Sequence, residues 1–477
     1  MPSKRLVLHE TELDKSIQLL KALNGQFEAL RGHLPRVYTE TYGCQQNEAD
    51  TERILGILTS AGYEKTDCKA NADLIIVNTC AVREHAELKA LSNTGGLKHL
   101  KEKNPELIIG VCGCMVQQEH RTGDIKHKYP YVDFVFGTNM MHNLASIVYS
   151  ARTQTGRGFF VEDYSVNPGV MREDIPVVRE SSFKAWVSVM YGCNNFCSYC
   201  VVPYVRGRER SRKKEMILKE VRDLVASGYK EITLLGQNVN SYGKDLYGRP
   251  AFAELLREIC EIPGEFWIRF MTSHPKDATE ELCDIIAQND NISNHFHLPM
   301  QSGSNDVLKV MNRKYTREEY FDYIDLLRSK IPDICITSDF IVGFPGETDE
   351  DFEMTLEALE RVKFDQIYSF IYSVRHGTPA EKMENQVPEN VKKERMTRLL
   401  ELQSSISGNK NREYENKIIC VLAEGPSKTD PGMMTGRCYH NKLVHFKMPS
   451  NAQDIIGQFV NIKIEKGDAF SMKGTIV

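Results

Sequence analysis

The stretch Met190-Tyr-Gly-Cys193-Asn-Asn-Phe-Cys197-Ser-Tyr-Cys200 constrains this chain most, because three cysteines fall within eight residues. It directly follows an apolar, strand-like run over 183–190. Thiols this close suit zinc, a disulfide or an iron–sulfur cluster. Structural zinc takes four protein ligands, and no fourth Cys or His stands at ligand spacing nearby. A disulfide framework needs an oxidising compartment. The sequence gives no sign of one: its N-terminus has no apolar signal-like core, and no run of about 18 apolar residues occurs. A cubane 4Fe-4S cluster has four irons, usually all held by thiolates. Three cysteines would leave one iron open, where a small molecule can bind and react.

At 477 residues the chain is long enough for about three domains. Hydrophobic residues at 41% and charged ones at 26% describe an ordinary soluble globular protein, expected in the cytoplasm and as a monomer. There, thiols stay reduced and clustered cysteines point to metal. Of the 13 cysteines, Cys68, Cys112, Cys260, Cys283, Cys335, Cys420 and Cys438 read as small buried hydrophobes. The formal net charge of −5 gives no global sign of a nucleic-acid partner, so any such partner must meet a local patch. No membrane partner is expected.

The fold class is α/β. Residues 1–34 read as a helical extension, with Leu13, Ile17, Leu20 and Leu23 at helical spacing. Over 35–153 short strands (37–42, 74–78, 107–111, 132–136) alternate with helices (48–60, 84–100, 140–148), the pattern of a parallel sheet. Cys44, Cys80 and Cys114 each follow one of the first three strands. In open parallel sheets the carboxyl ends of the strands share one edge, where ligands bind, so three cysteines far apart in sequence can meet there. Chance and tight turns would account for the same placement. Residues 154–178 lack periodicity and read as a linker. Over 179–409 six strands (183–190, 231–235, 267–272, 294–298, 335–342, 366–372) alternate with helices (213–227, 252–260, 278–287, 317–329, 349–362), giving a partial (βα)6 barrel, open on one side, and a helix at 391–404 ends the segment. The signature cysteines follow its first strand, at the end where barrel active sites lie. Over 411–477 short strands (418–422, 434–439, 443–446, 459–464, 473–477) predict a small β-barrel of oligonucleotide-binding type.

With both cysteine sets in place, the chain resembles the radical S-adenosylmethionine (SAM) methylthiotransferases, specifically the MiaB-type enzymes that modify tRNA. The residues that carry the resemblance run from Tyr38 to the C-terminus. They include Tyr-Gly-Cys-Gln-Gln-Asn-Glu-Ala-Asp at 42–50, Asn-Thr-Cys-Ala-Val-Arg-Glu at 78–84 and Gly113-Cys114. The signature continues from Tyr191 through Val-Val-Pro-Tyr-Val-Arg-Gly-Arg-Glu-Arg-Ser-Arg at 201–212, followed by Leu-Gly-Gln-Asn-Val-Asn-Ser-Tyr at 235–242. Arg-Phe-Met-Thr-Ser-His-Pro at 269–275, His-Leu-Pro-Met-Gln-Ser-Gly-Ser at 297–304 and Ser-Asp-Phe-Ile-Val-Gly-Phe-Pro-Gly-Glu-Thr at 338–348 complete it. The C-terminal barrel resembles that family's RNA-binding TRAM domain.

The resemblance implies two 4Fe-4S clusters: an auxiliary one on Cys44, Cys80 and Cys114, and one on Cys193, Cys197 and Cys200 whose open iron chelates SAM. It implies methylthiolation of carbon 2 of an isopentenylated adenosine at tRNA position 37, with an external electron donor and a sulfur source left open. One SAM would supply the methyl group and a second the radical that removes hydrogen from carbon 2. Cys112 departs from the pattern, standing where glycine is expected, and Cys114 is taken as the ligand. SAM contacts are expected from Gln237, Asn238, Ser273, Gln301, Asp339, Ile341 and Gly343, which follow strands resembling SAM-contacting ones, although strand-end polar groups also serve backbone hydrogen bonds.

Arg206-Gly-Arg208-Glu-Arg210-Ser-Arg212-Lys213-Lys214 carries six cations and one acid in nine residues. Directly after the signature, Arg206, Arg208, Arg210 and Arg212 are expected to meet phosphates of the tRNA anticodon stem-loop. From 411 onward nine Lys and Arg face seven Asp and Glu, so charge alone does not mark the barrel as RNA-binding. Two other readings compete. A ribosomal-protein methylthiotransferase would lack Asn-Asn-Phe and the repeated arginines. A non-catalytic iron–sulfur RNA-binding protein would not need a signature that leaves an iron open.

Overall fold

Leu74-Ile-Ile-Val is apolar over four consecutive residues, which suits a strand covered on both faces. In the computed structural model all of β3 (Leu74–Thr79) is buried. The structure describes residues 12–82, 84–161, 172–449 and 452–477. The described chain divides into two compact units, each considered by itself. One comprises the chain to Glu180 with Tyr191–Asn194 and Val201–Arg210, and the other holds the remainder.

In the first unit, β1 (Arg36–Tyr42), β2 (Glu64–Lys65), β3, β4 (Ile108–Gly113), β5 (Phe134–Phe136) and β6 (Gly158–Phe160) form one sheet, in the order β2-β1-β3-β4-β5-β6. All pairings are parallel. The strand order turns back between β1 and β3, which opens a crevice at their carboxyl ends. Alternate residues of the strands fill two cores. Leu74, Ile76, Phe134 and Phe136 pack with helices Leu13–Arg31, Gln45–Ser60 and Leu144–Thr153, and Ile75, Val77, Ile109 and Val111 pack on the opposite side.

Four elements differ from expectation here, one being the two-residue β2, too short to show a period. β6 lies inside the stretch read as a linker, because Gly-Phe-Phe is too short to show a period and owes its strand form to pairing with β5. The rest of that stretch, over 162–171, lies outside the described residues, as do residues 1–11 of the N-terminal extension. The helix expected over 84–100 breaks after Gly95-Gly96 into Glu84–Gly96 and Lys98–Lys103. Helix Glu119–Lys128 was not expected; it buries only Ile125, too little to show a period.

In the second unit, β7 (Lys184–Ser188), β8 (Glu231–Leu235) and β9 (Trp267–Phe270) form a parallel sheet ordered β9-β8-β7. β10 (His295–His297), β11 (Cys335–Val342) and β12 (Gln366–Ile371) form a second, ordered β10-β11-β12. A single bridge, Ile268 to Ile292, joins β9 to the chain just before β10. Helices follow the strands, and those starting at Arg317 and Asp349 open with complete capping boxes on Thr316 and Thr348.

Helix Glu389–Arg412 continues through the expected boundary at 409–411, so that junction is helical. Beyond it, β13 (Ile418–Pro426), β14 (Met433–Cys438), β15 (Leu443–Lys447), β16 (Phe459–Gly467) and β17 (Met472–Ile476) close a barrel in the order β13-β14-β15-β17-β16 around Val421, Val444, Phe446 and Ile462. Arg269 on β9 ties this barrel to the first sheet. It donates to Glu231 at 2.6 Å and to the carbonyl of Cys438 at 2.9 Å.

Two of the seven cysteines read as buried, Cys68 and Cys420, are exposed, and Cys260 is half-buried. No described helix is long and apolar enough to cross a membrane.

Candidate functional site

Cys44 follows β1 after Gly43, Cys80 directly follows β3 and Cys114 directly follows β4, all at one edge of the first unit's sheet. The first two flank the point where the strand order turns back. Cys44 is exposed, whereas Cys80 and Cys114 are buried. Cys80 and Cys44 share a hydrogen bond, which with the nearby Arg206 charge brings the Cys44 thiol down to about 6. That same hydrogen bond pushes the Cys80 thiol up. Burial pushes Cys114 up to about 11, opposed by Arg206.

Asn47 organises this edge. It accepts from the Cys44 thiol at 3.3 Å and donates to Asn78 Oδ1 at 3.2 Å and to the Thr79 carbonyl at 3.1 Å. Glycine is needed twice. A Cβ on Gly43 would stand 2.5 Å from that of Cys80, and one on Gly113 would stand 2.3 Å from the Thr79 carbonyl. Gly113 also has φ of 96°. Gly113→Ala is therefore expected to lower stability by about 1–3 kcal/mol and to reduce iron uptake at this edge, measured by urea melting and iron content.

Cys112 points elsewhere. It sits in the apolar core with Ile76, Phe134 and Phe136, whereas Cys114 lies with Ala81, Val201 and Val205. Three thiols, two close-approach glycines and a nearby cation fit an anionic inorganic cluster. Among the described residues no three His, Cys, Asp or Glu side chains surround a single point as one ion's ligands do. A cubane makes no such demand, because each thiolate holds a different iron.

The signature loop follows β7 in the chain. Cys193 and Cys197 are buried and Cys200 is half-buried. Gly192 has φ of 78°, and a Cβ there would lie 2.0 Å from the Arg208 carbonyl. In the second unit, Phe196 holds φ of 49° while Asn312 Nδ2 donates to its carbonyl at 2.9 Å. Thr272, Gln301, Asn312 and Lys314 also have positive φ. Such strain in non-glycine residues persists only where the surroundings enforce it, commonly at sites that bind or react.

The expected SAM contacts lie at the carboxyl ends of the second unit's strands. Gln237 and Asn238 follow β8, Ser273 follows β9, Gln301 follows β10, Asp339 and Ile341 lie late in β11, and Gly343 comes just after it. Asn238 donates to Asp277 at 2.7 Å, and Gly343 N donates to Glu347 at 2.7 Å. The Gln301 amide donates to the Asp339 carbonyl at 2.8 Å. Buried polar atoms without a protein partner collect at the ends of β8 and β9: Asn238 Oδ1, both amide atoms of Asn240, Ser273 Oγ and His274 Nε2. Buried polar atoms are normally satisfied, so this group fits a polar ligand such as SAM. Asn240 and His274 were not expected; both lie in motifs quoted above, but nothing in the sequence marks their side chains as orphaned.

Three ranges of the chain match known families: 187–359 the radical SAM superfamily, 36–137 the uncharacterized protein family UPF0004, and 412–477 the TRAM domain. The tRNA-2-methylthio-N(6)-dimethylallyladenosine synthase of Alkaliphilus oremlandii is 50% identical over 94% of this chain and 94% of its own. That of Thermoanaerobacter pseudethanolicus is 49% identical over 100% of this chain and 99% of its own. The chain belongs to the tRNA-2-methylthio-N(6)-dimethylallyladenosine synthase family. A solved structure of the radical S-adenosylmethionine methyltransferase TsrM from Kitasatospora setae, with tryptophan and a SAM analog bound, has a TM-score of 0.54 at 14% identity, covering 72% of this chain and 75% of that one. At that identity the likeness concerns the fold alone.

In this member of the synthase family, the basic run is largely internal. Arg206 is buried and pairs with Asp50 at 2.8 Å. Arg212 is buried, holding Glu220 at 2.7 Å and the Ser188 carbonyl at 2.9 Å. Arg210 is half-buried and donates to Asn139 and to the Arg206 carbonyl, both at 3.1 Å. Only Arg208 and Lys213 of the run's cations are exposed. The expectation that all four arginines meet phosphates is therefore corrected for Arg206 and Arg212, whose charges are spent on carboxylates inside the protein.

Proposed function

We propose that this chain methylthiolates carbon 2 of an isopentenylated adenosine at position 37 of tRNA. The observation that carries the reading is the gathering of Cys44, Cys80 and Cys114 from three separate strands to one sheet edge, in a chain that also bears the Cys193, Cys197, Cys200 signature. Each set would hold one 4Fe-4S cluster. The cluster on the signature loop, with SAM, supplies one-electron cleavage of a sulfonium and so hydrogen removal from a carbon that has no acidic proton. Asn238, Asn240, Ser273 and His274 would meet polar groups of SAM with atoms that find no partner in the protein. Gln301, Asp339, Ile341 and Gly343 would line the same rim. Asn47 would hold the first set's edge in register.

Sulfonium cleavage consumes an electron, so an external donor is a required partner, and thiols that must stay reduced suit the cytoplasm. We infer functional parts over 35–153, 179–409 and 411–477, a division that the matched ranges support. Arg208, Lys213 and the C-terminal barrel would meet the RNA. Arg208→Ala with Lys213→Ala is expected to weaken tRNA binding, to flatten its log–log salt slope by about 0.7–0.9 for each phosphate no longer neutralised, and to spare SAM cleavage.

The substrate is tested by offering isopentenylated tRNA, unmodified tRNA and a ribosomal protein to the anaerobically reconstituted enzyme, followed by nucleoside and peptide analysis. The 2-methylthio nucleoside should form in the isopentenylated tRNA. Methylthiolation of the protein with both tRNAs untouched would sink the reading.

A further inference from the structure

Arg313 is buried in the second unit, at 4% exposure. Its guanidinium donates to Tyr315 Oη at 3.0 Å, to the Pro299 carbonyl at 2.9 Å and to Cys197 Sγ at 3.3 Å. Guanidinium remains charged throughout the physiological range, and burying a cation without a counter-charge costs several kcal/mol. The other buried arginines each hold a carboxylate: Arg206 at 2.8 Å, Arg212 at 2.7 Å, Arg269 at 2.6 Å and Arg395 at 2.7 Å. Among the described residues Arg313 has no such partner. Its hydrogen-bond acceptors are a phenol, a carbonyl and a thiol, and of these only the thiol becomes an anion as a metal ligand.

The loop is also tied to this turn by other hydrogen bonds. Ser198 donates through its amide to the Met311 carbonyl at 3.0 Å and through Oγ to the Val310 carbonyl at 2.8 Å, and Asn312 holds the Phe196 carbonyl. Two backbone carbonyls and the Asn312 side chain of one turn thus hold the cysteine loop and leave the guanidinium with an electrostatic task.

We propose that Arg313 is a positioning residue for the SAM-binding cluster, donating to the Cys197 thiolate and making that cluster easier to reduce. The inference rests on the reading that Cys193, Cys197 and Cys200 hold a 4Fe-4S cluster. One-electron reduction by an external donor adds a negative charge to the cluster. A fixed cation and an N–H···S hydrogen bond favour the more negative state, which raises the reduction potential.

The test uses the full chain with Cys44, Cys80 and Cys114 replaced by alanine, so that one cluster reports. Arg313→Gln and Arg313→Lys are compared with that background by iron content and by dithionite titration followed through the paramagnetic signal of the reduced cluster. Arg313→Gln should keep the background's iron while the oxidised-to-reduced ratio at a fixed potential rises about tenfold, a shift of about 59 mV to lower potential for a one-electron couple. Arg313→Lys, which keeps the charge, should recover at least half of that shift. An unchanged couple in an iron-replete Arg313→Gln chain overturns the proposal. So does equal loss of iron from both variants, which would make Arg313 a structural prop. If the background chain with Arg313 intact binds no iron, the cluster reading itself has failed, a result distinct from the other two.

Discussion

Replacing Cys193, Cys197 and Cys200 together by alanine is expected to lower the iron held by the reconstituted chain from about eight atoms to about four and to abolish 5′-deoxyadenosine production. Replacing Cys44, Cys80 and Cys114 should also remove about four irons, yet leave reductive SAM cleavage measurable while methylthio transfer is lost. The two outcomes differ because the sets follow strands of different sheets, so neither should need the other to fold. As single variants at the first unit's sheet, Cys114→Ala should lose iron and Cys112→Ala should not. Cys112 is packed among Ile76, Phe134 and Phe136, and its thiol is held high by burial. Continued methylthio transfer by the chain lacking Cys44, Cys80 and Cys114 would show that the auxiliary site is wrongly assigned.

Arg206→Met is expected to destabilise the first unit by about 3–5 kcal/mol, because it strands the buried Asp50 carboxylate without its partner. Urea melting measures the loss. Adding Asp50→Leu should recover much of it, since replacing both members of a buried ion pair by apolar residues is often close to neutral. Both side chains are buried, at 5% exposure for Arg206 and 4% for Asp50, so solvent screens the pair little. A phosphate-contacting role makes the opposite forecast: stability unchanged and the salt dependence of tRNA binding flattened. The two forecasts separate cleanly in one variant.

Local signals account for what was legible. The limits of β8, β11 and helices Phe252–Cys260 and Asp349–Val362 coincide with those read from periodicity, because each strand or helix there is a strong apolar pattern bounded by turn residues. β6 and helix Glu119–Lys128 were not legible. The first depends on β5 for its ladder, and the second buries a single apolar side chain. For the candidate site, the amino-acid sequence by itself determined which cysteines are available and that Cys44, Cys80 and Cys114 each follow a strand of an expected parallel sheet. The spacing of the cysteines and their places after strands are properties of the chain; the order of those strands in the sheet is not. Tertiary structure alone decided where the arginines go. Arg206, Arg208, Arg210 and Arg212 look alike in a basic run, but two are internal because Asp50 and Glu220 reach them. Arg313 carries no signal in sequence, since its partner Cys197 lies 116 residues away and only folding brings the guanidinium to that thiol. A charge's role is set by its counter-charge and its exposure to water, and neither exists until the chain has folded.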